Sequence, residues 1–169
     1  MNLKGRPNIY IIAGPNGSGK TTFVKKLFAA VKAGKIMLEE IHAYARQGSD
    51  FAFETTLAGK THTRLLKALK TEGYRIHLYF LWLRSVDLAL KRIAERVSMG
   101  GHDVPANVVR RRFIRGLHNL FHLYRPLLDS WIIFDNSADV PRIIADEEDL
   151  KLNIIDDRLF KIIERSIRT

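Results

Sequence analysis

The sequence predicts an α/β fold of three layers around a mainly parallel sheet. Three observations carry that expectation. Short β-branched and aromatic runs alternate with segments of helical composition. The first run ends directly in a glycine-rich turn that opens a helix. The strand candidates are apolar on successive residues, as strands covered on both faces are. A chain of 169 residues fits one domain, and a single domain over 1–169 is expected.

Along the chain, Asn8 to Ala13 is a short β-branched run between Pro7 and Gly14, the pattern of a buried strand. Thr21 to about Gln47 is helical in composition; one helix there would run roughly 40 Å, too long for so small a domain, so a break near Gly34 is expected. Asp50 to Thr55 is a second strand. Gly59 to Thr71 is a short basic helix that stops at Glu72-Gly73. Tyr74 to Leu83 is the longest strand, and Ser85 can cap a helix reaching Met99. After the loop from Gly100 to Val104, Pro105 can open a helix as its first residue and continue it to Tyr124. Val108, Val109, Phe113, Leu117, Leu120 and Phe121 recur on its apolar face. Ser130 to Phe134 is a fourth strand, and the chain closes with an amphipathic helix bearing Leu159, Ile162, Ile163 and Ile167.

Composition narrows the functional classes. With 46% hydrophobic and 27% charged residues the chain is of globular type, which excludes disorder as its main state. The absence of Cys excludes a disulfide scaffold, Cys-ligated zinc and a thiol nucleophile, and is compatible with a reducing cytoplasm. Apolar runs such as Tyr79 to Leu83 are far short of the roughly 18 residues of a membrane span. Met1 to Pro7 lacks the apolar core of a signal peptide. A soluble, cytoplasmic protein without a membrane partner is expected.

The net charge is +10, and its placement is uneven. Between Arg84 and Arg125 stand nine Lys/Arg against three acids, which gives that stretch six of the ten net charges. Either the stretch is a solvated basic face, or it meets an anion such as nucleotide phosphate or nucleic acid.

Gly14-Pro15-Asn16-Gly17-Ser18-Gly19-Lys20-Thr21 matches G-x-x-x-x-G-K-[ST]. Glycines let consecutive backbone N–H groups converge on phosphate oxygens, and a helix opening below adds its free amides. Lys20 can reach the β- and γ-phosphates, and the Thr21 hydroxyl can bind Mg²⁺. A chance match in such a chain is on the order of one in a hundred, and this one has the required strand before it and helix after it. The turn predicts a P-loop nucleoside-triphosphate fold, with Gly14 to Thr22 as the nucleotide-binding segment. No Asn-Lys-x-Asp guanine reader is present, and Trp131 to Asp135 is followed by Asn136 rather than Glu, so ATP is the expected nucleotide.

With this loop in place, the rest of the chain resembles the zeta-toxin-like group of small P-loop kinases, also described as predicted ABC-type ATPases. The resemblance rests on Ile12 to Phe23, Phe51-Ala-Phe-Glu-Thr-Thr-Leu57, Phe80-Leu-Trp-Leu83, Gly100-Gly-His-Asp-Val-Pro105 with Arg110-Arg-Arg112, Asn119-Leu120 and Phe134-Asp-Asn-Ser137. It covers nearly the whole chain. It implies a kinase-like fold with a helical, Arg-rich lid over 84–125. The implied activity is transfer of the γ-phosphate of ATP, with Mg²⁺, to a hydroxyl of a small molecule, in the family an amino sugar carried on UDP. It also implies that Glu54, Thr55 and Thr56 contact the acceptor, and that Asn136 lies near the adenine. Members of this kind often stand outside toxin–antitoxin pairs, and the sequence alone indicates no antitoxin.

Phosphoryl transfer needs cations around the γ-phosphate, so the basic stretch suits a lid. Arg96 ends its first helix, His102 sits in the Gly-Gly turn, and Arg110, Arg111 and Arg112 follow Pro105. Successive residues lie about 100° apart around a helix, so no more than two of the three can face one ligand. The expected catalytic set is Lys20, Arg96, Arg110, Arg112 and Glu54, with His102 beside the acceptor. Each has a plainer reading: a solvated arginine, a structural turn at His102, a capping hydroxyl at Thr55 or Thr56, a simple turn at Asp135-Asn136-Ser137.

One departure weighs against a full kinase. Relatives carry an extra strand after the P-loop helix, and its Asp is the presumed base. Here Thr22 to Phe28 runs straight into Ala29, and Thr22 to Ser49 contains no Asp, only Glu39 and Glu40. Glu54 or Asp50 are the carboxylates left to replace it. Two other functions therefore stand beside the kinase: a nucleotide-binding module that has lost transfer, and a nucleic-acid-binding protein or RNA kinase. The last is disfavoured, because stacking aromatics should interleave with the basic residues and Phe113 and Phe121 fall on the apolar face.

Overall fold

A computed structural model of the chain describes residues 6–27, 44 and 47–168. The expected break near Gly34, the junction at Phe28-Ala29, Glu39 and Glu40 lie outside the described residues. The elements in order are β1 (Asn8–Ala13), α1 (Lys20–Leu27), β2 (Phe51–Thr55), α2 (Thr61–Thr71), β3 (Arg75–Trp82), α3 (Val86–Ser98), α4 (Ala106–Asn119), β4 (Ser130–Asp135), β5 (Arg142–Glu148), β6 (Lys151–Ile154) and α5 (Asp157–Arg168). Among the described residues, no helix is long and apolar enough to cross a membrane.

The six strands form one sheet in the order β2-β1-β3-β4-β5-β6. The first four are parallel, with Ala13 opposite both Thr55 and Phe80, and Trp82 opposite Asp135. All four therefore end at one edge of the sheet. From β1 the chain passes to β2 on one side and then to β3 on the other, so the strand order reverses beside β1. Open α/β sheets bind ligands at such a reversal.

β1 shows why the strands read as continuous apolar runs. Ile9, Ile11 and Ala13 enter a core shared with Leu66 and Leu69 of α2, Leu117 of α4 and Phe160 of α5. Ile12, from the other face, packs with Val24 of α1, Ala52 and Leu81. The sheet is thus covered on both sides, the three-layer arrangement that was expected. Each fully buried Ile, Leu or Phe contributes about 1.5–3 kcal/mol to holding the layers together. A third cluster of Leu83, Ala89, Ile93 and Val109 joins α3 to α4.

Local details match the expected signals with small shifts. Ser85 caps α3, its hydroxyl accepting from Leu88 N at 3.2 Å. Pro105 lies one position before α4, as its cap rather than its first residue. The helix continues beyond Asn119 as a wider π-helical turn, Leu120–Tyr124, which brings the Tyr124 hydroxyl onto Gly59 O at 2.8 Å. In α5, Phe160 and Ile163 are buried whereas Ile162 is 43% exposed, so the apolar face is rotated from the expected one. β5 and β6, an antiparallel hairpin on β4, were not expected at all.

Candidate functional site

The loop between β1 and α1 has room for nothing larger than glycine at three positions. A Cβ on Gly14 (φ +142°) would lie 2.5 Å from Leu81 O of β3, and one on Gly17 (φ +80°) 2.6 Å from Ala89 O of α3. At Gly19 (φ +82°) it would lie 2.9 Å from the Asn136 amide nitrogen. The turn is thus pressed between β3, α3 and the segment after β4. Asn136 Nδ2 donates to Ser18 O at 2.6 Å, tying that segment to the turn. Ser18 is fully buried, and its hydroxyl has no hydrogen-bond partner among the described residues.

Lys20 Nζ donates to Gly14 O and Pro15 O, both at 2.9 Å. Burial lowers its pKa to about 8; Glu54 opposes that shift, while Arg96 and Arg112 add to it. The neighbouring Thr21 hydroxyl donates to Glu54 Oε2 at 3.1 Å. Glu54 reaches this place because β2 pairs in parallel with β1, with Ile12 opposite Glu54.

A cavity of about 590 Å³ opens over the loop. Asn16, Gly17, Gly19 to Thr22, Glu54, Arg96, His102 and Asn136, all expected from the sequence, line it. Arg92 and Asp139 line it too and were not expected. Arg92 had a legible signal, since it stands four residues before Arg96 on the same helix face. Asp139 had none.

The arginines differ in what they hold. Arg92 donates to Asn136 O at 2.8 Å and Ser137 O at 3.2 Å, and Arg96 donates to His102 O. Arg112 donates to Asn16 Oδ1 at 3.3 Å. All these acceptors are neutral, and none of the three arginines takes part in an ion pair among the described residues. Arg110, by contrast, lies 3.8 Å from Asp87, is exposed, and does not line the cavity. Of the three consecutive arginines only Arg112 bonds to the loop, and Arg111 is exposed.

Thr55 and Thr56 also lie off the cavity lining. The Thr55 hydroxyl accepts from Leu57 N at 3.1 Å, holding Leu57 at φ +53°. Thr56 O is where α4 comes closest: a Cβ on Gly116 would sit 2.5 Å from it. Asp50 is at the opposite edge of the sheet, bonded to Asn8 at the start of β1, which removes it as a substitute for the missing Asp. At the end of β4, burial raises the pKa of Asp135, but hydrogen bonds from Ser137 and Arg84 outweigh it and hold the carboxyl below its usual range.

No protein-family model matches the chain. An uncharacterized protein of Haemophilus influenzae is 31% identical over 85 residues, which are 50% of this chain and 61% of that protein. Among solved structures, the AvrRxo1-ORF1:AvrRxo1-ORF2 complex contains a similar chain. With sulphate ions it gives a TM-score of 0.71 at 13% identity, and with ATP 0.69 at 14%, covering 94% of this chain and 63% of that one in both cases. A chain of the PezAT toxin–antitoxin system of Streptococcus pneumoniae gives 0.59 at 13% identity, covering 97% of this chain and 87% of its own. This is a P-loop kinase-like fold. The cavity lies over the turn after β1, at the edge of the sheet where the strand order reverses. The PezAT likeness agrees with the zeta-toxin-like resemblance carried by the motifs.

Proposed function

We propose that the protein binds ATP at the loop from Gly14 to Thr22 and transfers its γ-phosphate to a hydroxyl of a small molecule, with an amino sugar on UDP as the first acceptor class to test. The observation that carries the reading is the setting of Lys20: the cavity over the loop is lined by this lysine, Gly17, Gly19, Arg92 and Arg96, and Arg112 bonds to Asn16 at its border. Likeness in fold to a complex solved with ATP supports it.

In this reading the loop amides hold the β- and γ-phosphates, and Lys20 spans both. The glycine cradle, which a Cβ would fill, and the buried Ser18 hydroxyl, unpartnered among the described residues, fit a polyanion that brings its own acceptors. Thr21 would hold Mg²⁺, with Glu54 beside it, and the ion would supply neutralisation of phosphate charge. Arg96 and Arg112 face the charge that develops on the transferred group, and Arg92 fixes the Asn136 segment beside the nucleotide. In the transfer, the acceptor oxygen bonds to the γ-phosphorus, the bond to the β-bridging oxygen breaks, and the acceptor proton leaves. Glu54 is the carboxylate placed to orient that hydroxyl, with His102 at the lid turn. Arg110, Thr55 and Thr56 are positioning residues in this scheme.

A second reading is favoured by the lack of an Asp between Thr22 and Ser49: nucleotide binding with impaired transfer. General-base help is worth about 10²–10⁴ in rate. The fold relatives in the AvrRxo1 and PezAT complexes have partner chains, which supports a protein partner where the sequence alone indicates none.

Titration calorimetry with ATP and Mg²⁺ on wild type and Lys20→Ala tests the site. Affinity should fall at least about 100-fold in the variant, since two phosphates lose a charge-assisted donor. Unchanged affinity would refute both readings. Incubation with γ-labelled ATP and a panel of UDP-sugars separates them: label on a sugar establishes transfer, and ATP binding without labelled product establishes the second reading.

A further inference from the structure

The cation excess does not end at the cavity. α2 and α4 lie on the same face of the sheet, where Leu66 and Leu69 of one share a core with Leu117 of the other. The loop that leads into α2 is tied to the end of α4 and the turn after it, Asn119 Nδ2 donating to Leu57 O at 2.7 Å and Tyr124 O–H to Gly59 O at 2.8 Å. Neither helix contains an acidic residue. Lys60, Arg64 and Lys67 stand on the outer side of α2, and Arg111 and Arg115 on the outer side of α4, all exposed. None of the five takes part in an ion pair among the described residues.

Such a face repels itself unless an anion covers it, and three features say which anion. Continuing the outer stripe of α4, His118 and His122 are exposed and stacked, ring centroids 4.1 Å apart and 16° from parallel, with His122 Nδ1 on His118 O at 2.9 Å. That pair presents a fixed aromatic face to solvent, the platform on which an unpaired base stacks. Phe113 and Phe121 pack inward, as their place on the apolar face led us to expect, so they supply no platform. Finally, Ile114 (66% exposed) is the single large apolar side chain exposed on the two helices, whereas protein interfaces have apolar centres depleted in charge.

We propose that the outer face of α2 and α4 binds single-stranded nucleic acid, its phosphodiester backbone running along the five cations and a base resting on the His118–His122 pair. This surface faces away from the sheet, and the proposal stands independently of phosphate transfer at the loop.

Fluorescence anisotropy of the full chain with a labelled mixed-sequence 12-mer, as RNA and as DNA, tests it across a salt series. Five phosphate contacts predict that log affinity falls with log salt at a slope of about −3.5, each contact counting about 0.7 for a single strand. Arg111→Glu with Arg115→Glu, or Arg64→Glu with Lys67→Glu, should each weaken binding at least about tenfold at 50 mM salt and flatten the slope by about 1.4. Circular dichroism and the melting midpoint verify that these surface variants are folded. Lys20→Ala should bind the oligomer as wild type does, which separates this face from the cavity. His118→Ala with His122→Ala should weaken the oligonucleotide several-fold and leave an abasic oligomer unaffected. No binding at 50 mM salt, or binding indifferent to both charge reversals, would overturn the proposal. Polyglutamate of equal charge competing as well as the oligomer would replace it with an acidic protein partner.

Discussion

The two ends of the same parallel strands are built on opposite terms. At the amino end, polar groups saturate one another across four strands: Asn8 N and Nδ2 donate to Asp50 at 2.8 and 3.2 Å, and His77 lies 2.8 Å from Ser130 Oγ and 3.2 Å from Asn8 Oδ1. Asp129 Oδ2 accepts from Ile76 N at 2.8 Å. At the carboxyl end, among the described residues, Ser18 keeps an unpartnered hydroxyl, Lys20 rests on two carbonyls, and Arg92, Arg96 and Arg112 meet neutral oxygens. The sheet explains the position of both ends, but among the described residues the carboxyl end is the one that gathers cations without carboxylate partners. A partly buried charge facing neutral acceptors, as at Lys20, Arg92 and Arg112, carries an electrostatic cost, and it is retained where an anion is to be held.

The sharpest way to break this contrast is to change one residue at each end. Gly14→Ala puts a Cβ 2.5 Å from Leu81 O at φ +142°. Strain of this kind should cost at least about 1–3 kcal/mol in denaturant unfolding and remove measurable ATP binding in calorimetry. Asn8→Ala, which loses hydrogen bonds at the other end, should cost about 1 kcal/mol and leave ATP affinity intact. Equal effects of both variants on ATP affinity would erase the distinction between the ends.

How much of this was legible in the residues follows from where the signals were local. The loop was fully legible, because glycines at 14 and 17 are demanded by close backbone approaches and the one at 19 by its positive φ. The parallel strands were legible because burial on both faces leaves them apolar throughout. The β5–β6 hairpin was not. Its turn uses Asp149 and Leu150 at positive φ (49° and 64°) instead of the Asn-Gly or Gly that marks such turns, and β6 is exposed along its whole length. In the site, composition could assign a cluster of arginines but not their directions. Arg110 and Arg112 are two residues apart and so about 200° apart around α4, which sends one to Asp87 and the other to Asn16. Asp50 and Glu54 sit on neighbouring stretches of sequence yet at opposite edges of the sheet, which only the strand itself decides.

A smaller effect sharpens the contrast among the arginines themselves. Arg84 bonds to Asp135 Oδ2 through Nε at 3.0 Å and Nη2 at 2.8 Å, and Arg125 bonds to Glu147. These two neutralise carboxylates. Arg84→Ala should lower stability by about 1–2 kcal/mol, because it strands a carboxylate that is buried while the guanidinium itself is 60% exposed and screened. Its effect on ATP turnover should be slight. Arg96→Ala and Arg112→Ala should instead leave the melting midpoint nearly unchanged and slow transfer about 10²–10³-fold, the loss seen when one donor to a developing charge is removed. Single-turnover kinetics beside thermal melts measure both quantities. A variant of Arg96 or Arg112 that unfolds while its residual activity per folded molecule is normal would move it into the structural class.

The smallest expected effect concerns Lys20, and it tests whether the uncompensated end is tuned as well as open. Burial first, then Arg96 and Arg112, bring its pKa to about 8 from 10.5 against the pull of Glu54. The phosphates of ATP are already ionised above neutrality, so the protonation of Lys20 sets the pH dependence of binding there. Near pH 9 about nine-tenths of the free protein lacks the ammonium charge, and ATP affinity should be about tenfold below its plateau, since binding must then recover a proton. Lys20→Arg keeps its charge and should give a flat profile over the same range. Stability moves the other way. Between pH 8 and 10.5 the unfolded chain holds a proton on Lys20 that the folded chain has lost, so this group's contribution to folding rises with pH in that window. Nucleotide affinity falling while the denaturation midpoint holds or rises, from one lysine, is the signature of a cation kept in the cavity for its ligand at the expense of the fold. A parallel decline of both in wild type and Lys20→Arg would attribute the pH dependence to unfolding instead.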